Sequence, residues 1–291
     1  MSRSHHRIGL IGAGIDGSLS PTLHQTEASA LGLSDYSYEL LDIDVLDRSP
    51  EDAAGVLRDA LANGYTGFNV THPCKQTVMT GLDEITEHAA AIGAVNTVVL
   101  RQGRTVGHNT DETGFRTALR TGLPGAAMGT VVLCGAGGAG AAVGCALVRA
   151  GARRLLIADT DVDRATALAD RLGRSGVAVG GIAPADLPGV LPDADGVVNA
   201  SPIGMDGHPG TPFATDLLGP HLWVADVVYR PVRTQLLAAA QSVGCRTLDG
   251  AQMLVAQAAD SFALVTGIDP DPARMRRHLA EVLDRRAGAA R

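Results

Sequence analysis

Aromatic side chains are scarce in this sequence: Phe, Trp and Tyr make up 3% of its 291 residues. A core must therefore be filled by Ala, Val, Leu and Ile, and a hydrophobic content of 45% supplies enough of them. A basic excess is lacking too. The net charge of −7 argues against a nucleic-acid partner, which would require a basic patch or stripe. Cysteine is sparse: Cys74, Cys134, Cys145 and Cys245 stand apart with no C-x-x-C pair. Neither a disulfide framework nor a zinc site is expected, and no metal; reduced thiols in the core or at the edge of a site are. No apolar run reaches membrane-spanning length, and the polar start "MSRSHHR" does not read as a secretory leader. The expectation is a soluble, cytoplasmic protein with no membrane partner.

What is present is alternation. Strand-like and helix-like runs follow one another along the chain, the pattern of an α/β protein with mostly parallel sheets. "RIGLIG", "YSYELLDI" and "YTGFNVT" read as strands, with a helix over about 21–31 and another in "SPEDAAGVLRDALANG", where Ser49 and Pro50 suit the N-cap and first position. "NTVVLRQGRTVGHNT" reads as a hairpin turning at Gln102 and Gly103, followed by a helix over about 111–121. From Thr130 a second sheet begins, with strands "TVVLCG", "RRLLIAD", "DGVVNAS", "HLWVADVV" and "CRTLDG". Two last helices, "AQMLVAQAADSFALVTG" and "DPARMRRHLAEVLDRR", have no strand left to alternate with and are expected to pack back on the first domain.

The spacing G-x-G-x-x-G occurs twice, at Gly12, Gly14 and Gly17 and at Gly135, Gly137 and Gly140. A dinucleotide turn also needs a preceding strand, a helix whose N-terminus faces the pyrophosphate, and an acidic residue about twenty positions on. The second copy has all three: "TVVLC", "AAVGCALVRAG", and Asp159, nineteen residues after Gly140. In the first copy "SLSP" intervenes before the helix and the acidic residue comes after a longer gap. The first turn is therefore read as holding no nucleotide. Ser20 with Pro21 reads as a helix start, and Ser18 with Ser20 would suit a substrate carboxylate there, although capping by Ser20 needs no ligand.

Three polar stretches fall at strand ends of the first domain, where open α/β sheets bind ligands: "NVTHPCK", "GAVNT" and "GHNTDETG". A Lys, Asn residues and an Asp there can hold a polyhydroxylated molecule and move a proton. Singly, each has an ordinary alternative: Lys75 a solvated lysine, Asn96 a turn residue, Asp111 a helix N-cap. A lysine beside an aspartate can be tuned for general acid/base work. His72 and His108 are near, without metal-ligand spacing.

Taken in order, "NVTHPCK", "GAVNT", "NTD", "GAGGAG", "VVNASPIGM", "DVVY" and "LDGAQMLVAQAA" resemble the motifs of the shikimate/quinate dehydrogenase family, and the likeness runs from Ile8 to about Pro270. It implies an N-terminal α/β substrate domain (1–111), a Rossmann-type, doubly wound parallel sheet (112–252), and C-terminal helices (253–291) returning to the first domain. It also implies a polyhydroxy carboxylate substrate of the shikimate or quinate type, and a monomer or homodimer. Ser18 and Ser20 would bind the carboxylate; Thr71, Asn96, Asp111 and Gln257 the hydroxyls; Tyr229 would close over them. Lys75 would be the acid/base, paired with Asp111. Gly135, Ala136, Gly137, Gly138, Ala139 and Asp159 would hold the cofactor, with Val227 and Gly250 flanking the nicotinamide; as plain residues these two also suit a strand end and a turn. Where NADP-dependent members carry an Asn-Arg-Thr type stretch, this chain has "ADTDVDR". It thus resembles most the NAD-preferring quinate/shikimate dehydrogenases of actinobacteria, with NADP less favoured. The second serine of "SLS" is more typical of shikimate-selective members. An amino-substituted analogue as substrate, or a non-catalytic NAD- or metabolite-sensing protein on the same fold, are the alternatives; a sensor has no need of Lys75 with Asp111.

Overall fold

The structure is a computed structural model that describes residues 5–289, with side chains to 285. The first four residues of the polar start lie outside the described residues. The chain divides into two compact units, one of Met1–Thr110 with Val255–Arg291, the other of Asp111–Leu254.

In the first unit six strands, β1 (His6–Gly12), β2 (Tyr36–Asp42), β3 (Gly67–Val70), β4 (Glu84–Ile85), β5 (Thr97–Arg101) and β6 (Arg104–His108), form one sheet in the order β2-β1-β3-β5-β6-β4. β1 pairs in parallel with β2 and β3, because the crossovers between them contain helices α1 (Ser20–Ala30) and α2 (Ala53–Ala62). β5 and β6 are the expected hairpin. Gln102 (φ 52°) and Gly103 (φ 78°) make its two-residue turn, whose positive φ angles match the twist of the strands. A short helix, α3 (Glu87–Ile92), precedes β5 and is capped by the Thr86 hydroxyl, which accepts the Ala89 amide. The core gathers Ile11, Ile43, Leu57, Tyr65, Phe68 and Val70 from sheet, loops and α2.

Two local expectations are corrected. Ser20 is not an N-cap: α1 starts at Ser20, and Leu19 holds the cap position without a side-chain bond. The Ser18 hydroxyl accepts the Ser20 amide (3.3 Å), which starts the turn one residue early. Nor does a single helix follow Ser49: a 3₁₀ turn over Pro50–Asp52 leads into α2, and the Ser49 side chain makes no cap bond.

The second unit opens with α4 (Thr110–Gly122) and then builds an all-parallel sheet from β7 (Thr130–Cys134), β8 (Arg154–Ala158), β9 (Ala178–Ile182), β10 (Gly196–Asn199), β11 (Trp223–Asp226) and β12 (Arg246–Leu248). Their order is β12-β11-β10-β7-β8-β9. The chain starts at a central strand, winds out to β9, then returns to lay β10 on the other side. That is the doubly wound topology, whose switch point lies between β7 and β10. The connections carry α5 (Gly138–Arg149), α6 (Val162–Gly173), α7 (Leu187–Val190) and α8 (Gln235–Ser242). Val132, Leu156, Val197 and Val224 of the strands meet Leu187, Leu191, Leu236 and Leu237 in one core. All four cysteines are free and buried.

α9 (Gly250–Thr266) and α10 (Pro272–Ala289) close the chain, and from Val255 onward they belong to the first unit. Phe262 stacks near Tyr36 (ring centroids 5.6 Å apart), and Ser261 accepts from Asn69 at 2.7 Å. Glu27 of α1 is 1% exposed and is held by the Arg274 guanidinium, through Nε at 2.8 Å, and by the Asp271 amide. Removing one member of such a pair leaves a desolvated charge unanswered. Arg274→Ala is therefore expected to lower the thermal midpoint by several degrees, measured by scanning calorimetry, while Arg277→Ala on the same helix leaves it unchanged.

Candidate functional site

The second glycine turn lies at the carboxyl end of β7 and runs into α5. Each glycine has its own reason. Gly135 has φ +106°, and a Cβ there would stand 2.8 Å from the Ala200 carbonyl group. A Cβ on Gly140 would sit 2.0 Å from the Gly135 oxygen, so the helix could not approach the turn. At Gly137, the α5 N-cap, a Cβ would meet nothing within 4 Å. Packing therefore does not require a glycine there; the room above it is open, as a close-lying pyrophosphate would demand. The amides of Gly137, Gly138 and Ala139 have no protein acceptor among the described residues and belong to a helix N-terminus.

Asp159 follows β8 directly. Its carboxylate accepts from the Ala136 amide (2.7 Å), the Asp161 amide (3.0 Å) and the Arg164 guanidinium (2.7 Å). Burial pushes its pKa up, but Arg164 and the two amides outweigh burial and hold it below the ordinary carboxylate value. Asp161 caps α6 by accepting the Arg164 amide, which leaves the guanidinium for Asp159. Val227 and Gly250 meet at the ends of β11 and β12: a Cβ on Gly250 would lie 2.4 Å from the Val227 oxygen. Tyr229 is half-buried two residues further on, and Asp111 is buried inside the first turn of α4 rather than capping it.

The first glycine turn has the same spacing and a different chemistry. The Gly14 and Ile15 amides already donate to the Asp42 carboxylate (3.2 and 2.8 Å), and the Ala13 amide to the His72 carbonyl. A Cβ on Gly12 would collide with Thr71 at 2.4 Å. The donors a phosphate would need are answered from within the fold.

Beside that turn stand the first unit's polar stretches. Ser18 is half-buried in the loop before α1, and Ser20 is its first residue. Thr71 follows β3, and half-buried Lys75 lies in the turn after it, its carbonyl accepting the Val95 amide at 2.8 Å. Asn96 is 3% exposed; its Oδ1 accepts the Thr110 amide (2.8 Å), and its Nδ2 donates to the Thr110 hydroxyl (2.9 Å). Gln257 is half-buried on α9. Sequence reasoning missed the support beneath Asn96. Asn69 donates to the Thr97 hydroxyl (3.2 Å) and the Asn96 carbonyl (3.3 Å) and accepts from the Tyr38 hydroxyl (2.9 Å). The signal was present, since Asn69 opens "NVTHPCK". Among the described residues no group of three or more His, Cys, Asp or Glu is placed to hold a metal ion, and no helix is long and apolar enough to cross a membrane.

Comparisons with known proteins identify relatives of the whole chain. A family model described as the shikimate dehydrogenase substrate binding domain matches residues 10–98. A shikimate dehydrogenase (NADP(+)) of Streptomyces avermitilis is 50% identical over 285 residues, which is 97% of this chain and 97% of that protein. A quinate/shikimate dehydrogenase (NAD(+)) of Corynebacterium efficiens is 50% identical over 275 residues, covering 92% and 95%. Among solved structures, a quinate dehydrogenase from Corynebacterium glutamicum in complex with NAD superposes with a TM-score of 0.88 at 46% identity, covering 95% of this chain and 99% of that one.

Proposed function

The chain belongs to the shikimate dehydrogenase family, and we propose that it interconverts shikimate with 3-dehydroshikimate, quinate with 3-dehydroquinate, or both, with NAD preferred over NADP. It is an oxidoreductase of a shikimate-type acid with a nicotinamide cofactor. The observation that carries the division of labour is the contrast between the amides of the glycine turns: those of Gly137, Gly138 and Ala139 stand open at the start of α5, whereas those of Gly14 and Ile15 are taken by Asp42. In this reading Gly135, Ala136, Gly137, Gly138, Ala139 and Asp159 hold the dinucleotide, and Val227 and Gly250 flank its nicotinamide. Ser18 and Ser20 donate to the substrate carboxylate; Thr71, Asn96, Asp111 and Gln257 bind its hydroxyls, and Tyr229 covers it.

Oxidising a secondary alcohol removes a hydride from carbon and a proton from oxygen. The nicotinamide, when bound, supplies the hydride acceptor or donor. The chain's own task is the proton. The Lys75 amine takes it from the hydroxyl during oxidation and returns it to the carbonyl oxygen during reduction, with Asp111 orienting the amine. The serines and the hydroxyl-binding residues fix the ring so that one carbon is presented.

Initial rates with shikimate and with quinate, each with NAD and with NADP, test the reading directly; no turnover in any of the four combinations would overturn it. A pair of variants tests the division of labour. Gly137→Val is expected to fold, because its side chain meets open room, yet to weaken NAD binding at least tenfold by displacing the pyrophosphate. Ser18→Ala is expected to raise KM for the acid and leave NAD binding unchanged. Calorimetric titration of NAD into both decides it, since a large loss of NAD affinity in Ser18→Ala would make the first turn a nucleotide site.

A further inference from the structure

At the carboxyl end of the second unit's sheet lies a buried polar node that the roles above leave unused. Asn199 ends β10 and Asp226 ends β11, and the two are register partners. Asp226 Oδ1 accepts from Asn199 Nδ2 (3.0 Å) and from the Val228 amide (3.0 Å); Oδ2 accepts from the Thr234 hydroxyl (2.7 Å). Thr234 is in turn the N-cap of α8, its Oγ1 accepting the Leu237 amide. Asn199 also donates to the Ile203 carbonyl and accepts from the Ser201 hydroxyl and amide. One carboxylate thus ties together the loop after β10, the loop after β11 and the start of a helix. The three side chains are 0%, 2% and 1% exposed in chain order.

Such a node is an expensive way to fill a core. Asn199, Thr234 and the Val228 amide are all neutral donors, and burial pushes the Asp226 carboxyl up to about 6 in spite of them. Departures of this kind concentrate where geometry is needed for function. The geometry here is specific. The bond from the Val228 amide back to Asp226 turns the chain just past the strand end. That turn brings the Val227 and Val228 oxygens to 2.4 and 2.5 Å from where a Gly250 Cβ would lie, so the loop and the start of α9 fit only around a glycine.

We propose that Asp226, acting through Asn199, Thr234 and the Val228 amide, is a positioning residue for the nicotinamide end of the cofactor. It sets the backbone of Val227 to Tyr229 against Gly250, so that the cofactor's reacting ring meets a preformed surface rather than a mobile loop. The inference rests on the reading that this unit binds a nicotinamide dinucleotide with Val227 and Gly250 beside the ring.

The test compares NAD with ADP-ribose, which keeps the adenosine and pyrophosphate and lacks the nicotinamide. Both are titrated calorimetrically into the full-length protein and into Asp226→Ala and Asp226→Asn. Asp226→Ala is expected to weaken NAD about tenfold and ADP-ribose by less than about twofold, bringing the two affinities together. Asp226→Asn, which keeps the shape and most of the bonds, should restore NAD binding to within about threefold. Steady-state kinetics should show a fall in kcat for Asp226→Ala that saturating NAD does not recover. Equal weakening of both ligands would reduce Asp226 to a general support of the fold, and no change in either would remove it from the site; each overturns the proposal. If Asp226→Ala does not fold, Thr234→Val removes one donor at nearly constant shape and is judged by the same comparison. A wild-type protein that binds neither ligand would instead overturn the cofactor reading on which the proposal stands.

Discussion

Replacing Lys75 with alanine is expected to lower kcat about 100-fold or more, the usual consequence of removing a positioned acid/base. NAD affinity should stay near the wild-type value, because in the proposed division of labour the dinucleotide is held by residues of Asp111–Leu254 and Lys75 lies in the other unit. Lys75→Arg sharpens the test. A guanidinium keeps the positive charge and can still donate a hydrogen bond, but it does not give up its proton at any working pH. If Lys75 only attracts or orients the substrate, Lys75→Arg should recover much of the lost rate. If it moves the proton, both variants should be crippled, with KM changing far less than kcat. Measuring kcat at saturating acid and NAD separates these outcomes, and near-full kcat in Lys75→Ala would sink the assignment.

The second large effect concerns the choice of cofactor. Asp159 can accept hydrogen bonds from the adenosine ribose of NAD, whereas in NADP a phosphate dianion would face the same carboxylate. Two like charges about 4 Å apart repel by roughly 1 to 4 kcal/mol between the water and protein-surface limits, or about 5- to 1000-fold in affinity. Arg164 changes the balance. Its guanidinium already touches Asp159, and its side chain is 53% exposed, so it is free to turn toward a phosphate. The expected preference for NAD in kcat/KM therefore lies in the lower part of that span, roughly tenfold to a hundredfold. Asp159→Asn should narrow the gap mainly by improving NADP, and Arg164→Ala should widen it mainly by harming NADP. Rates with both cofactors for the three proteins check this; a wild-type preference for NADP would show that Arg164 outweighs Asp159.

Much of the fold was legible because its signals are local. Apolar runs such as "TVVLC" and "GVVN" are strands buried on both faces, and Gln102 with Gly103 marks a tight hairpin. β9 escaped because its "AVGGI" carries two glycines and lies at a sheet edge, and β4 because two residues make no pattern. In the site, the distance from Gly140 to Asp159 is a sequence feature that the first glycine turn does not share. What could not be read was which carboxylate answers which amide. Asp42 and Asp159 both follow the pattern of a strand-end acid, and only the folded chain bends Asp42 onto Gly14 and Ile15. Asn69 stayed hidden for a related reason: one of its partners, Ser261, lies 192 residues away. Nor does the charge spacing of "ADTDVDR" reveal that Asp161 is occupied with the Arg164 amide and that the Arg164 guanidinium is left for Asp159.

The first unit cannot be completed in the order in which it is synthesised. Its six strands emerge early, but α9 and α10 follow only after the whole of Asp111–Leu254. At ordinary translation speeds that interval lasts roughly ten to thirty seconds. Throughout it Glu27 has no Arg274 and Asn69 has no Ser261, so α1 carries a carboxylate and the sheet an amide meant for burial, with an apolar face awaiting Phe262 and Val265. The second unit has every one of its strands in a single stretch of chain and can close first. A newly made molecule can therefore finish the half proposed to hold the dinucleotide while the half proposed to hold the acid still lacks α9 and α10.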